Sequence, residues 1–358
     1  MSSSIHHLEL VLKRAASEAG FDLAGIAPAT DSPELNAFPE WIAAGHAGEM
    51  KYLESRDDEG SLKRASLSRV APWARSVIVG AINYNTAHPY STEFRDPNCG
   101  WISRYAWSRE DYHDAVLRRL KQVEATLHQA IVATQPELIT RSYVDTGPIV
   151  ERVFARYAGV GWIGKNTCII NQKIGSWLFL GVILTSLDLV PDIPAPDRCG
   201  TCTRCIVACP TDAILAPYQL DSNRCISYLT IEKRGSIPED LRAEMGRHVF
   251  GCDICQDVCP WNRKASATNF DEFQARAGLV NPDLASLGKM SPAEFQDKFR
   301  RSPIRRAKRN GIQRNAAIAM GNSGNPEFLP LLETLAGDRD ENVAEAARWA
   351  LTRLEKPR

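Results

Sequence analysis

The sequence predicts an α+β protein in three stretches: an N-terminal α/β stretch, a ferredoxin-like two-cluster stretch and a helical tail. Residues 1–190 alternate helical and strand patterns and hold only Cys99 and Cys168. Residues 191–270 hold the other eight of the ten cysteines. Residues 271–358 hold none and read as short helices.

In the first stretch, Ile5 to Ala19 reads as an amphipathic helix ended by Gly20, and Phe21 to Ala27 as a short strand. The β-branched run Ser76 to Tyr84 reads as a buried strand, and Asp111 to Val132 has helical periodicity. Arg141 to Val144 reads as a strand end, with Pro148 placed early in a following helix. Ser176 to Leu187 is a further strand. In the tail, Asn315 to Met320, Pro326 to Leu335 and Asn342 to Leu354 read as helices, the last two resembling one HEAT-type hairpin. A single such repeat must bury its face on the rest of the protein.

The formal net charge is zero, so affinity for nucleic acid must come from a local patch. No apolar run is long enough to span a bilayer, the longest being Trp177 to Leu189. The N-terminus lacks the pattern of a signal peptide, which predicts a cytoplasmic protein whose cysteines bind metal or react rather than form disulfides.

Cys199, Cys202, Cys205 and Cys209-Pro210 have the C-x₂-C-x₂-C-x₃-C-P spacing of a bacterial ferredoxin. Three cysteines on one tight loop reach three irons of a cubane, and the fourth points to a second cluster. Cys252, Cys255 and Cys259-Pro260 repeat the pattern with Val249 in the first position, and Cys225 fills that vacancy. Two [4Fe–4S] clusters then take Cys199, Cys202, Cys205 and Cys259, and Cys252, Cys255, Cys209 and Cys225. Zinc sites favour two separated C-x₂-C knuckles and fit this spacing poorly. Cys99 and Cys168 read as ordinary thiols.

A two-cluster ferredoxin needs about sixty residues, so most of the chain does something else. Asp145-Thr146-Gly147-Pro148, Gly159 to Asn166 (GVGWIGKN), the two cysteine runs and Arg224 to Gly235 (RCISYLTIEKRG), in this order, resemble the epoxyqueuosine reductase family. The resemblance runs from about Ile5 into the tail. It implies reduction of epoxyqueuosine to queuosine in the anticodon loop of a transfer RNA, with cobalamin in the N-terminal domain beside the clusters. A low-potential electron donor must feed the clusters. Opening an epoxide to an alkene takes two electrons and two protons and releases water, so the site needs a proton donor.

The resemblance assigns that role to Asp145. Alternatively, Asp145 is a turn cap, as Asp before Gly often is. A donor must be protonated near neutrality, so Val144, Ile149, Trp162 and the corrin should desolvate it, with Arg141 and Arg152 pointing elsewhere. The resemblance also implies cobalamin contacts from Arg64, Ser103, Asp145, Val150, Glu151, Arg152, Ile163, Lys165, Asn166, Ser227, Cys252 and Asp253. At Ser103 the chain departs from members that carry a cysteine. Gly159, Gly161 and Gly164 would let the backbone approach a flat ligand, or simply form a turn. Lys233 matches an RNA-facing position. Arg300, Arg301, Arg305, Arg306, Lys308, Arg309 and Arg314 form the densest basic run, a candidate RNA footprint or a solvated helix face.

Other readings remain: a dehalogenase-type corrinoid reductase acting on a small molecule, or a plain electron carrier. The tail and basic run argue against the first, and the large N-terminal stretch against the second.

Overall fold

Ser76 to Asn83 is buried at all eight positions because both faces of its sheet are covered. This is strand β2 of a four-stranded sheet in the computed structural model, which describes residues 2–131 and 135–355. The other strands are β1 (Leu23–Pro28), β3 (Thr140–Tyr143) and β4 (Leu178–Thr185). Their order is β1-β2-β4-β3, and every pairing is antiparallel. The N-terminal half is therefore α+β rather than α/β. The helices between strands return the chain antiparallel rather than making parallel crossovers, a long-range outcome that local alternation does not encode.

Two compact units appear, each built from several segments. Met1–Asn85, Tyr112–Cys202 and Pro260–Ala267 form the first, and Thr86–Asp111, Thr203–Cys259 and Thr268–Arg358 the second. In the first unit, α1 (Ser2–Glu18) and α2 (Tyr112–Ile131) pack together on one face of the sheet. Gly181 of β4 has no Cβ where Val116 and Leu120 of α2 press in. Helix α3 (Glu151–Tyr157) covers the opposite face, where Val153, Phe154 and Ala155 join Val77, Val79 and Val182 in one core. Pro148 lies three residues before α3 and belongs to the loop from β3. The end of the predicted helix at Val132 lies outside the described residues.

In the second unit, α4 (Ile226–Ile231) follows Cys225 directly, and α5 (Lys308–Ser323) is buried from Ile312 to Gly321. Helix α5 begins seven residues before the predicted Asn315, because its first two turns are polar and carry no periodic signal. It ends at Gly324 in the left-handed conformation, the usual C-terminal stop. Helix α7 (Glu341–Glu355) packs on α5 and on α6 (Leu329–Ala336). Among the described residues, no helix is long and apolar enough to cross a membrane.

Candidate active site

Strand β3 delivers the chain into the Asp145-Thr146-Gly147-Pro148 loop. Asp145 adopts φ 57°, a left-handed conformation that aspartate tolerates better than most residues. The Thr146 N–H closes the turn on the Val144 carbonyl at 2.6 Å. The Asp145 side chain is 70% exposed. The Tyr112 hydroxyl donates to its Oδ2 at 2.9 Å, and His113 Nε2 lies 3.9 Å from the same oxygen. Val144, Ile149 and Trp162 are buried, but Asp145 stands outside their packing. The expected desolvation by these three neighbours is thus absent, because the left-handed turn leaves the carboxylate on the surface. Arg141 bonds Tyr143 and Arg152 bonds the Thr167 carbonyl, so both side chains are engaged elsewhere.

Arg64 is nearly buried and donates to the Tyr52 and Gly147 carbonyls, each at 2.8 Å. It pins the loop beside Asp145. Val150 is the N-cap residue of α3, Glu151 its first residue and Arg152 its second. Oε1 of Glu151 has no solvent access and no hydrogen-bond partner among the described residues. Burial pushes the Glu151 carboxyl up to about 7, with the Asp145 charge adding to it and a hydrogen bond from its own N–H and the Arg64 and Arg152 charges opposing.

Ile163 and Ile169 pair in a short hairpin whose tip is Gly164 to Cys168. Asn166 is buried and its Oδ1 accepts from the Cys168 N–H at 3.3 Å. Lys165 donates to the Gly200 and Cys202 carbonyls at 2.6 and 3.0 Å, so it ties down the first cysteine loop. A Cβ on Gly161 would lie 2.5 Å from the Ile170 carbonyl oxygen, and one on Gly164 would lie 2.5 Å from Ile170 Cδ1. These glycines are required by the chain's own packing.

Of the eight cysteines in the two ferredoxin-type runs and Cys225, Cys199 and Cys202 lie in the first unit and the other six in the second. Burial, with the charges of Cys225, Asp253 and Cys209 adding to it, pushes the Cys252 thiol well above its usual range. The Ala213 N–H donates to Cys209 Sγ at 3.3 Å.

Asp253, between Cys252 and Cys255, has no exposed surface. Trp101 Nε1, the Ser103 hydroxyl and the Arg104 backbone N–H all donate to its carboxylate. The cofactor contacts expected of Asp253 and Ser103 are therefore corrected: both groups are spent on each other inside the second unit. Ser227, on α4, is half-buried.

The basic run divides. Arg300, Arg305 and Lys308 are exposed, and Arg305, Lys308, Arg309 and Phe295 line an open groove. Arg306 forms a fork with Glu232, its Nε and Nη2 at 3.0 Å from the carboxylate. Arg309 donates to the Met290 carbonyl at 2.8 Å. Arg314 is corrected as an RNA contact. It is 2% exposed, and its guanidinium reaches the Leu229, Lys233 and Gly235 carbonyls at 2.8, 2.9 and 2.6 Å. Arg314 and Lys233 are thus joined through the Lys233 main chain. Tyr112, which the sequence reading missed, carried no signal beyond its place at a predicted helix start.

Two family models match the chain. One, described as epoxyqueuosine reductase QueG, DUF1730, covers residues 64–146, and the other, a 4Fe-4S double cluster binding domain, covers residues 198–262. An epoxyqueuosine reductase from Synechocystis is 43% identical over 297 residues, which span 82% of this chain and 98% of the relative. The chain belongs to the epoxyqueuosine reductase family. One from Xanthomonas campestris is 39% identical over 95% of this chain and 94% of its own length. The solved structure of an epoxyqueuosine reductase with an epoxyqueuosine-modified tyrosine tRNA stem loop superposes with a TM-score of 0.86. It is 30% identical, and the match covers 98% of this chain and 91% of that one. A Bacillus subtilis epoxyqueuosine reductase, described with an aspartate catalytic loop swung out of the active site, gives 0.85 at 30% identity, covering 99% and 92%. As an epoxyqueuosine reductase, the chain is an oxidoreductase with a double-cluster domain.

Proposed function

We propose that this epoxyqueuosine reductase acts on epoxyqueuosine in a transfer RNA anticodon loop, with Asp145 as the proton donor at the epoxide oxygen. The observation that carries the reading is the Asp145 carboxyl itself: solvent-facing, on a left-handed turn, bonded by the Tyr112 hydroxyl, near His113 and, among the described residues, clear of arginine ion pairs. Such a group can meet an incoming substrate. The relatives with a modified stem loop and with an aspartate catalytic loop support it.

Cobalamin fits the first unit on one observation. The Trp162 indole N–H is buried and has no hydrogen-bond partner among the described residues, so a polar group of the cofactor could accept from it. Val150, Ile163 and Arg152 would then hold the cofactor. Cobalamin supplies a strong nucleophile or one-electron donor, and the clusters deliver electrons singly. The chain's residues do the rest: Arg64 fixes the loop, Tyr112 orients the carboxyl, and Asp145 protonates the oxygen as its C–O bond breaks. We assign the two cysteine quartets as the spacing divides them, and read residues 1–190, 191–270 and 271–358 as catalytic, cluster and RNA-contacting parts. In the last, α6 and α7 form a HEAT-type pair. Arg300, Arg305 and Lys308, with weaker contributions from Arg306, Arg309 and Lys233, meet phosphates. A low-potential carrier supplies the electrons.

The test is Asp145→Asn, assayed on an epoxyqueuosine-modified stem loop with cobalamin and a strong reductant. Turnover should fall by about two to four powers of ten, the usual range for a general acid, with cluster content and RNA affinity unchanged. Turnover at the parent rate would return Asp145 to a turn cap.

A further inference from the structure

We propose that Lys165 tunes the first iron–sulfur cluster, its ammonium charge raising the reduction potential by favouring the reduced, more negative state. The inference rests on the reading of Cys199 and Cys202 as ligands of that cluster. Neither thiol is in a disulfide, and both lie on one tight turn that the Cys202 N–H closes on the Cys199 carbonyl at 3.1 Å. Soft sulfur donors at a three-residue step fit an iron–sulfur cluster. Lys165 reaches this turn from elsewhere in the same unit. It stands at the tip of the hairpin that pairs Ile163 with Ile169. There the Gly164 N–H donates to the Cys168 carbonyl and the Thr167 N–H to the Gly164 carbonyl, each at 2.8 Å. Arg152 braces the tip through the Thr167 carbonyl at 3.1 Å. From this held base the Lys165 Nζ donates to the Gly200 carbonyl at 2.6 Å and to that of Cys202, a ligand residue, at 3.0 Å.

Two neutral carbonyls occupy the ammonium's donors without cancelling its charge. Among the described residues no carboxylate forms an ion pair with it. A positive charge fixed beside the ligand turn lowers the energy of a cluster that has gained an electron more than that of the oxidised one. The other charged side chains of this stretch are exposed: Arg198, Arg204, and Asp197, which accepts from the Cys199 N–H at 2.7 Å. Solvent and salt screen those, whereas Lys165 is half-buried. The two cysteine runs also differ in sign. Cys199 to Cys209 includes Arg204 and no acidic residue, and Cys252 to Cys259 includes Asp253 and Asp257 and no basic one. Net charge is one of the factors that set a cluster's potential. The first cluster is therefore the easier of the two to reduce. It gains one electron from the low-potential carrier, which is oxidised by one electron.

A reductive titration of the holoenzyme, followed by electron paramagnetic resonance of the reduced clusters, tests this. Cys199→Ala identifies the first cluster's step by altering that step alone. Lys165→Gln keeps a donor for the carbonyls and removes the charge, and Lys165→Arg keeps the charge. At the potential where the parent's first cluster is half reduced, the ratio of reduced to oxidised cluster in Lys165→Gln should fall about tenfold, a shift of about 59 mV for one electron. The second step should move less, because Lys165 bonds the first turn. Lys165→Arg should recover most of the difference, and iron content should match the parent's in both variants. A parent-like titration of Lys165→Gln, with both clusters present, would overturn the tuning and leave Lys165 as a fastener of the turn. Equal shifts in Lys165→Gln and Lys165→Arg, or loss of the first cluster's iron in both, would overturn it as well, because one of the two keeps the charge. Two unaltered steps in Cys199→Ala would instead overturn the ligand reading on which the tuning stands.

Discussion

The DTGP loop of the first unit and the start of α5 in the second both place charged residues in polar sequence, yet they spend them differently. Asp145 has one hydrogen bond from Tyr112, stands largely in solvent and occupies a strained φ. Arg314 is buried and saturated by three main-chain carbonyls and the side chain of Asn315. Local sequence gives both the same look of a functional charge. The number of internal partners separates them: a charge whose bonding capacity is spent inside the fold holds structure, and one left with capacity is open to chemistry.

The comparison can be broken hardest at Arg314. Arg314→Ala leaves the Leu229, Lys233 and Gly235 carbonyls without their donor and should cost about 3–5 kcal/mol of stability. The log–log salt dependence of RNA binding should not change, because no phosphate contact is lost. Thermal or denaturant unfolding and a salt series on one stem loop measure both. A near-neutral stability change with a salt slope flatter by about one unit would make Arg314 an RNA contact after all.

The converse variant is Arg300, Arg305 and Lys308 changed together to Ala. All three are exposed, so stability should stay within about 0.5 kcal/mol. The salt slope should flatten by about two to three units, a bit under one for each phosphate released. An unchanged slope would mean a solvated helix face. Arg306 is a poorer choice for this test because its fork with Glu232 mixes a surface ion pair, worth up to about 1 kcal/mol, into the result.

What the sequence made legible was local. The double-cluster domain could be read because cysteines at three-residue steps form a local pattern, and the family model covers residues 198–262. Strands β2 and β4 could be read from apolar runs. What depended on distant packing could not. The antiparallel order β1-β2-β4-β3 needs pairings between strands far apart in sequence. Arg314 has the same charge as Arg305, and only the carbonyls arriving from α4 and the segment after it distinguish the two. Asp253 looks like a cofactor contact beside Cys252 until Trp101, Ser103 and Arg104 are brought to it from about 150 residues away. Nothing local shows that Ile170 packs against Gly161 and Gly164.

The smallest effect is the sharpest probe of the site, because it concerns one hydrogen bond. Tyr112 stacks on Phe179 with ring centroids 4.4 Å apart and planes 2° from parallel, so Tyr112→Phe keeps the ring in place. It removes only the hydroxyl that donates to Asp145 Oδ2. One hydrogen bond at a solvent-facing group contributes about 1 kcal/mol net, so kcat should fall roughly fivefold if the bond orients the donor. Cluster content and melting temperature should not move. The decisive measurement is the double variant. If Tyr112 acts only through Asp145, the hydroxyl has nothing to orient once Asp145 is Asn, and Tyr112→Phe should then cost nothing further. Two independent losses that simply add would mean that the Tyr112 hydroxyl works on the substrate directly and that its bond to Asp145 is incidental.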